Sequence, residues 1–318
     1  MSTAQKTPGP HQYLPQFGTR ESTHALDVDG TTLHYWEYSA SAGAAGADRV
    51  EPTTIVLVHG FRGEHHGLAR VVEAMPQYRF LAPDLPGFGS SPAYPDREHT
   101  VAAYAQTIAA FCDAMGLDHH QVLLGHSFGS IVASHLAAGL PDRFAALILV
   151  NPIAVPALEG PKGVLTKLAQ FYYWACARLP ERAGQALLRS PAIVQIMSVS
   201  MAKTRDPELL RFIHGQHQAY FSDFASRDML LESFRASIAG TVAQVASQLE
   251  LPTLLIAGSR DEIAPPSAQR RMLPQLPDAR LEVIDGVGHL IHYETPEVAA
   301  AAISGFLREV LVQKGPAA

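Results

Sequence analysis

The sequence predicts an α/β protein with a mostly parallel central sheet, antiparallel N-terminal strands, helices on both faces and an inserted helical cap. Three observations carry this expectation. Short continuous apolar runs recur from residue 53 onward. Most are separated by segments of helical length and periodicity, the alternation that a parallel sheet demands. One interval, 153–248, is a stretch of roughly one hundred residues with helical patterns only, too long for an ordinary crossover.

Residues 1–20, rich in Pro, Gly and Gln, read as a flexible N-terminal extension outside the core. Two alternating runs, 24–29 and 31–38, follow, and the Asp29-Gly30 dipeptide between them suits a type I′ hairpin turn. Residues 39–48 are an Ala/Gly/Ser loop. The apolar runs 53–58, 80–82, 122–124, 146–150, 253–257 and 281–284 suit strands buried on both faces. Helical periodicity covers 97–115, 128–140, 266–276 and 296–312. The expected core is therefore 21–152 together with 249–318, and the cap is 153–248.

Of the 318 residues, 47% are apolar and 17% charged, enough to bury one large core. Twenty-four basic residues against 30 acidic give a net charge of −6, with no Lys/Arg run to track a phosphate backbone, which speaks against nucleic acid. Cys112 and Cys176 sit in apolar helical contexts and read as buried free thiols. The N-terminus has no secretory h-region, and the longest apolar stretch, 163–179, is too short for a bilayer and carries Lys167 and Arg178. These features lead us to expect a cytoplasmic monomer or homodimer acting on a small molecule, without stable membrane insertion.

Gly125-His126-Ser127-Phe128-Gly129 follows the run 122–124 and opens a helical segment. That is the context of a nucleophile elbow, whose glycines leave room for a sharp strand-to-helix turn presenting Ser127 Oγ. Three further motifs accompany it in order: His59-Gly60-Phe61, Asp84-Leu85-Pro86-Gly87-Phe88-Gly89 and Gly286-Val287-Gly288-His289, each after an apolar run. With these residues the chain resembles the α/β-hydrolase fold family, in its capped serine-nucleophile branch, over nearly its whole length after residue 24.

The resemblance implies a site. The backbone N–H groups of Phe61 and Phe128 would form the oxyanion hole. A general base working near neutrality is best a histidine, and among the fifteen here His289 alone stands in the family's Gly-x-Gly-His turn. The family's Gly-x-x-Asp spacing selects Asp261 as the acid, with Glu262 one residue beyond as the alternative. The position after the preceding strand, which carries the acid in some relatives, is Asn151-Pro152 and cannot supply the charge. Asp84 reads as a structural turn residue, and His126 and His292 as packed neighbours of the site.

Around this centre, Arg62, His65 and His66 in the Phe61–Gly67 loop are candidates for substrate contact, or else brace the loop alongside Glu64. Trp174 and Phe221 are candidates from an aromatic-rich cap. We expect no metal, since no carboxylate or cysteine cluster is evident beside His65 and His66 or beside His214 and His217, and no cofactor. The expected reaction is hydrolysis of a small to medium, largely apolar carboxylic ester or thioester through an acyl-enzyme. Carbon–carbon bond hydrolysis of a vinylogous diketone is the alternative, although Leu290 follows His289 where those relatives often carry tryptophan. A lyase or acyltransferase with the same residues, or a non-catalytic binder, stands further off.

Overall fold

The computed structural model describes residues 11–41, 52–157 and 163–313. Eight strands form one sheet in the order β1-β2-β4-β3-β5-β6-β7-β8. β1 (Glu21–Val28) and β2 (Thr31–Tyr38) make the antiparallel hairpin, with Asp29 at φ 51° and Gly30 at φ 77°, both left-handed as the type I′ turn requires. β2 pairs antiparallel with β4 (Arg79–Pro83). From there β3 (Thr54–Val58), β5 (Val122–His126), β6 (Ala146–Val150), β7 (Thr253–Gly258) and β8 (Ala279–Ile284) run parallel.

Side chains alternate across this sheet, so each central strand feeds two cores. Leu123, Leu147 and Leu149 pack beneath α2 (Val101–Ala114) and α3 (Phe128–Gly139). Val122, Leu124 and Ile148 pack on the other side with α1 (Ala69–Glu73) and the C-terminal helix Pro296–Gln313. The central runs are buried on both faces for that reason. β8 departs from the expectation: Arg280 and Glu282 are exposed, because this strand is the sheet edge.

Among the described residues between β6 and β7 stand five α-helices: α4 (Gly163–Arg178), α5 (Glu181–Leu188), α6 (Pro191–Met201), α7 (Pro207–Tyr220) and α8 (Arg227–Ala239). Their boundaries follow local chemistry. Asp206 accepts from the N–H groups of Glu208 and Leu209 ahead of Pro207, and Ser226 accepts from that of Met229. The chain then returns through α9 (Pro266–Met272), α10 (Ile291–Glu294) and α11 (Pro296–Gln313).

Two expectations need correction here. Residues 1–10 and most of the 39–48 loop lie outside the described residues, but 11–20 are not a loose extension. Phe17 is buried with its ring 4.4 Å from that of Tyr38, and Tyr13 lies 5.5 Å from Phe212 of α7. Aromatic burial anchors a segment whose Pro and Gly content reads as loose. Arg62 is likewise no substrate contact. It is 1% exposed, and its guanidinium donates to Leu188 O at 2.8 Å and to Tyr173 Oη at 3.2 Å, while Nε donates to Phe221 O at 2.9 Å. The planar fork thus ties the loop after β3 to α4, α5 and the end of α7.

The junction of α3 with β3 is close enough to forbid a side chain. A Cβ on Gly129 would overlap Val58 O and sit 2.6 Å from His59 O. Gly129→Ala should therefore cost about 3 kcal/mol or more in denaturant unfolding, and unchanged stability would show that α3 can shift without penalty. Arg62→Ala should raise amide exchange around Leu188 and Phe221 about tenfold, equivalent to roughly 1.4 kcal/mol of local stability. Exchange equal to wild type there would mean that the cap is held without this brace.

Candidate active site

Ser127 sits between β5 and α3 with φ 53° and ψ −118°, a conformation rarely tolerated by a residue with a Cβ. Three bonds hold it: Ser127 N–H donates to Val150 O at 3.0 Å, and Ser127 O accepts from Ser130 N–H at 2.8 Å and Ser130 Oγ at 2.5 Å. The turn thereby lifts the hydroxyl to the carboxyl end of the sheet, where open α/β sheets bind ligands.

His289, on the loop after β8, has Nε2 2.7 Å from Ser127 Oγ and Nδ1 2.8 Å from Asp261 Oδ2. Asp261 follows β7, and its side chain is fully enclosed. Burial alone would raise its pKa, favouring the protonated form. The His289 charge and hydrogen bond, with the Ala264 and Ile263 N–H donors at 2.9 and 2.8 Å, outweigh burial and hold the carboxyl at about 2. An ionised carboxylate can only accept, so Nδ1 of His289 carries the proton and Nε2 is left free to accept from the serine hydroxyl. Glu262 instead pairs with Lys203 at 3.0 Å, on a side chain about half exposed.

Sequence reasoning passed over Asn151. It adopts φ 49°, donates Nδ2–H to Asp261 Oδ2 at 2.8 Å and approaches Gly288 O at 3.3 Å. The position after β6 supplies a neutral donor to the carboxylate. The signal was its placement at a strand end, dismissed because only a charge was sought there.

The surrounding histidines are held neutral. Burial, with His289 nearby, lowers His126 to about 3, and its Nε2 donates to His289 O at 3.4 Å. His292 lies edge-on to His126 at 4.2 Å and is lowered by burial as well. His59 donates from Nδ1 to Gly60 O at 2.9 Å and accepts the Leu85 N–H at Nε2 at 2.8 Å, which joins the loops after β3 and β4. Asp84 accepts from His65 N–H at 2.9 Å, His65 Nδ1 at 3.0 Å and Ser90 N–H at 2.9 Å, in a structural role.

These residues open onto a cavity of about 380 Å³. Gly60, Phe61, Ser127, Phe128 and His289 form its floor, and Val155, Met197, Met201, Phe221, Phe234 and Ile238 face them from the cap. Phe128 is the first residue of α3, where the backbone N–H has no partner within the helix. Phe221 is thus where a substrate-contact residue was expected, and three other candidates are not. His65 is buried against Trp36, ring centroids 3.2 Å apart, and bonded to Asp84. His66 pairs with Glu64 and stacks on Tyr220 at 4.1 Å, outside the cavity wall. Trp174 projects outward, 41% exposed, with Arg178 over its ring at 5.2 Å. Of the charged and histidine residues in this loop, Glu64 lines the cavity.

The expectation that no carboxylate accompanies His65 and His66 is also corrected. Ligand atoms of Glu64, His65 and His66 lie within 4.8 Å of one another, and Asp84 adjoins them. Among the described residues, Glu64, His65 and His66 are the group that could hold a metal ion, and their atoms bond in pairs, Glu64 with His66 and His65 with Asp84. His214 and His217 meet on Ser198 Oγ, at 2.6 and 2.7 Å.

Known proteins share this architecture. RutD of Caulobacter sp. (strain K31) is 28% identical over 271 residues, covering 85% of this chain and 95% of that protein. The pimeloyl-[acyl-carrier protein] methyl ester esterase of Neisseria meningitidis serogroup B (strain MC58) is 27% identical over 259 residues, covering 80% of this chain and 92% of the other. The solved structure of a thermophilic esterase from Thermogutta terrifontis superposes with a TM-score of 0.71 at 24% identity, over 91% of this chain and 99% of that one. The model of the α/β hydrolase fold family matches residues 53–296, and the chain belongs to that family.

Proposed function

We propose that the protein is a serine hydrolase that cleaves a small to medium, largely apolar carboxylic ester or thioester through an acyl-enzyme. The observation that carries this reading is the unbroken relay from Ser127 Oγ through His289 to Asp261, at 2.7 and 2.8 Å, opening onto an apolar cavity. The esterase among its relatives supports the same class of bond.

Ser127 Oγ attacks the carbonyl carbon while its proton passes to His289 Nε2. The new imidazolium faces the Asp261 carboxylate, itself fixed by Asn151 and two backbone donors. Negative charge on the carbonyl oxygen is met by the N–H groups of Phe61 and Phe128. Collapse expels the alcohol or thiol, which takes the proton from His289. Water then repeats the sequence on the acyl-enzyme, giving the carboxylic acid and restoring Ser127.

Ser127→Ala should abolish turnover of p-nitrophenyl esters and labelling by a fluorophosphonate, with the fold unchanged by circular dichroism. Retained labelling would move the nucleophile elsewhere. Asp261→Asn should lower kcat about 10³-fold or more with little change in KM, since it disturbs a charge that forms only in the transition state. A loss confined to KM would contradict that role.

Acyl preference should follow the cavity. Each buried methylene is worth about 0.8 kcal/mol, roughly fourfold in kcat/KM, until the cavity ends. Met197→Ala or Ile238→Ala should lengthen the preferred chain, because both side chains line the wall, with acetate turnover nearly constant. A flat profile across acyl lengths would rule out an apolar acyl site.

A further inference from the structure

Large apolar side chains scattered singly over a surface need no explanation, but here they are concentrated. Of the ten that are exposed among the described residues, seven lie between Leu168 and Val199. On α4, Leu168, Phe171 and Trp174 repeat every three residues and are 64, 61 and 41% exposed. On α6, Ile196 and Val199 share the same spacing at 65 and 59%. Leu187 of α5 is 40% exposed. Both longer helices are apolar in two directions, since Ala169 of α4 and Met197 of α6 line the cavity. Burial of the cap's own core thus leaves the outward stripe unused.

The charge of this segment runs against that of the whole chain. Residues 163–201 carry Lys167, Arg178, Arg182 and Arg189 against Glu181 alone, in a protein of net charge −6. Lys167, Arg178 and Arg182 are exposed beside the apolar stripe, and Arg178 lies over the Trp174 ring. Outward aromatic and aliphatic side chains flanked by cations are the pattern of an element that lies in a lipid interface.

We propose that the outer face of α4, α5 and α6 docks peripherally on an anionic lipid surface. Trp174, Phe171, Leu168 and Ile196 enter the headgroup boundary, and Lys167, Arg178 and Arg182 meet lipid phosphates. The acidic remainder of the molecule then faces away from the membrane. A second copy of the chain fits the face less well, because a twofold contact through it would bring the like charges of both copies together. No helix among the described residues is long and apolar enough to cross a membrane, so the contact is one of surface docking.

The test uses the full-length protein and vesicles of phosphatidylcholine, with or without an equal share of phosphatidylglycerol. Wild type should sediment with the anionic vesicles and shift its tryptophan emission to the blue, and Trp174→Phe should remove the shift. Raising salt from ~0.1 to ~1 M, which shortens the screening length from about 10 to 3 Å, should weaken binding. The triple substitution Leu168→Ser, Phe171→Ser, Trp174→Ser should reduce partitioning at least about tenfold, and Lys167→Glu with Arg182→Glu should do so on anionic vesicles. Turnover of a soluble p-nitrophenyl ester should be unchanged in both, because these side chains lie outside the cavity. An active wild type that ignores both kinds of vesicle, or variants that bind as wild type does, would overturn the proposal. So would a concentration-dependent dimer in light scattering that the triple substitution dissolves, which would assign the face to a second copy.

Discussion

Most of the site depends on how closely α3 approaches the sheet. Gly129 carries no side chain because the carbonyls of Val58 and His59 occupy that space, and Gly125 is hemmed in by the Gly129 carbonyl. This contact fixes the angle at which the chain leaves β5, and Ser127 is forced into its left-handed geometry as a consequence. A residue in such a conformation costs about 1–3 kcal/mol, persisting only where its surroundings over-determine it. Here the bonds from Ser130 and to Val150 do so. The same approach brings the start of α3 beside the loop after β3, so that Phe61 and Phe128 share one end of the cavity.

Around that junction the protein buries titratable groups without burying much charge. His59, His65, His126 and His292 are all pushed toward the neutral form, with desolvation the largest cause in each. They act as rigid hydrogen-bonding spacers between loops. Asp261 is the exception inside the site, kept charged by four hydrogen-bond donors despite its enclosure. Its depressed pKa gives a stability contribution that is present above the ordinary carboxylate range and is lost as pH falls toward about 2.

The cap is joined to this centre through the chain that follows Phe61. Arg62, also left-handed at φ 59°, spends its guanidinium on Leu188 and Tyr173, and its Nε on Phe221. Phe61 itself packs edge-on against Tyr173 and tilted against Phe234. One side of the loop therefore lines the cavity floor while the other holds the helices that roof it.

The sheet, its antiparallel hairpin and the helical insertion were legible from sequence because they rest on short-range regularities. Apolar runs mark the central strands, Asp29-Gly30 marks the turn, and the Gly-flanked Ser127 marks the strand-to-helix junction. Ser127, Asp261 and His289 could be chosen for the same reason, since each follows a strand within a recognisable loop, and in the structure they meet. What only the tertiary structure decided is where side chains point. Arg62, His65 and Trp174 have the chemistry of substrate contacts, but packing turns Arg62 to the cap carbonyls, His65 to Asp84 and Trp174 to the outside. Glu64 lines the cavity instead, and Asn151 reaches Asp261 across 110 residues of chain. A sequence states which groups are available; their partners depend on how strands and helices far apart in the chain are stacked, and no local pattern records that.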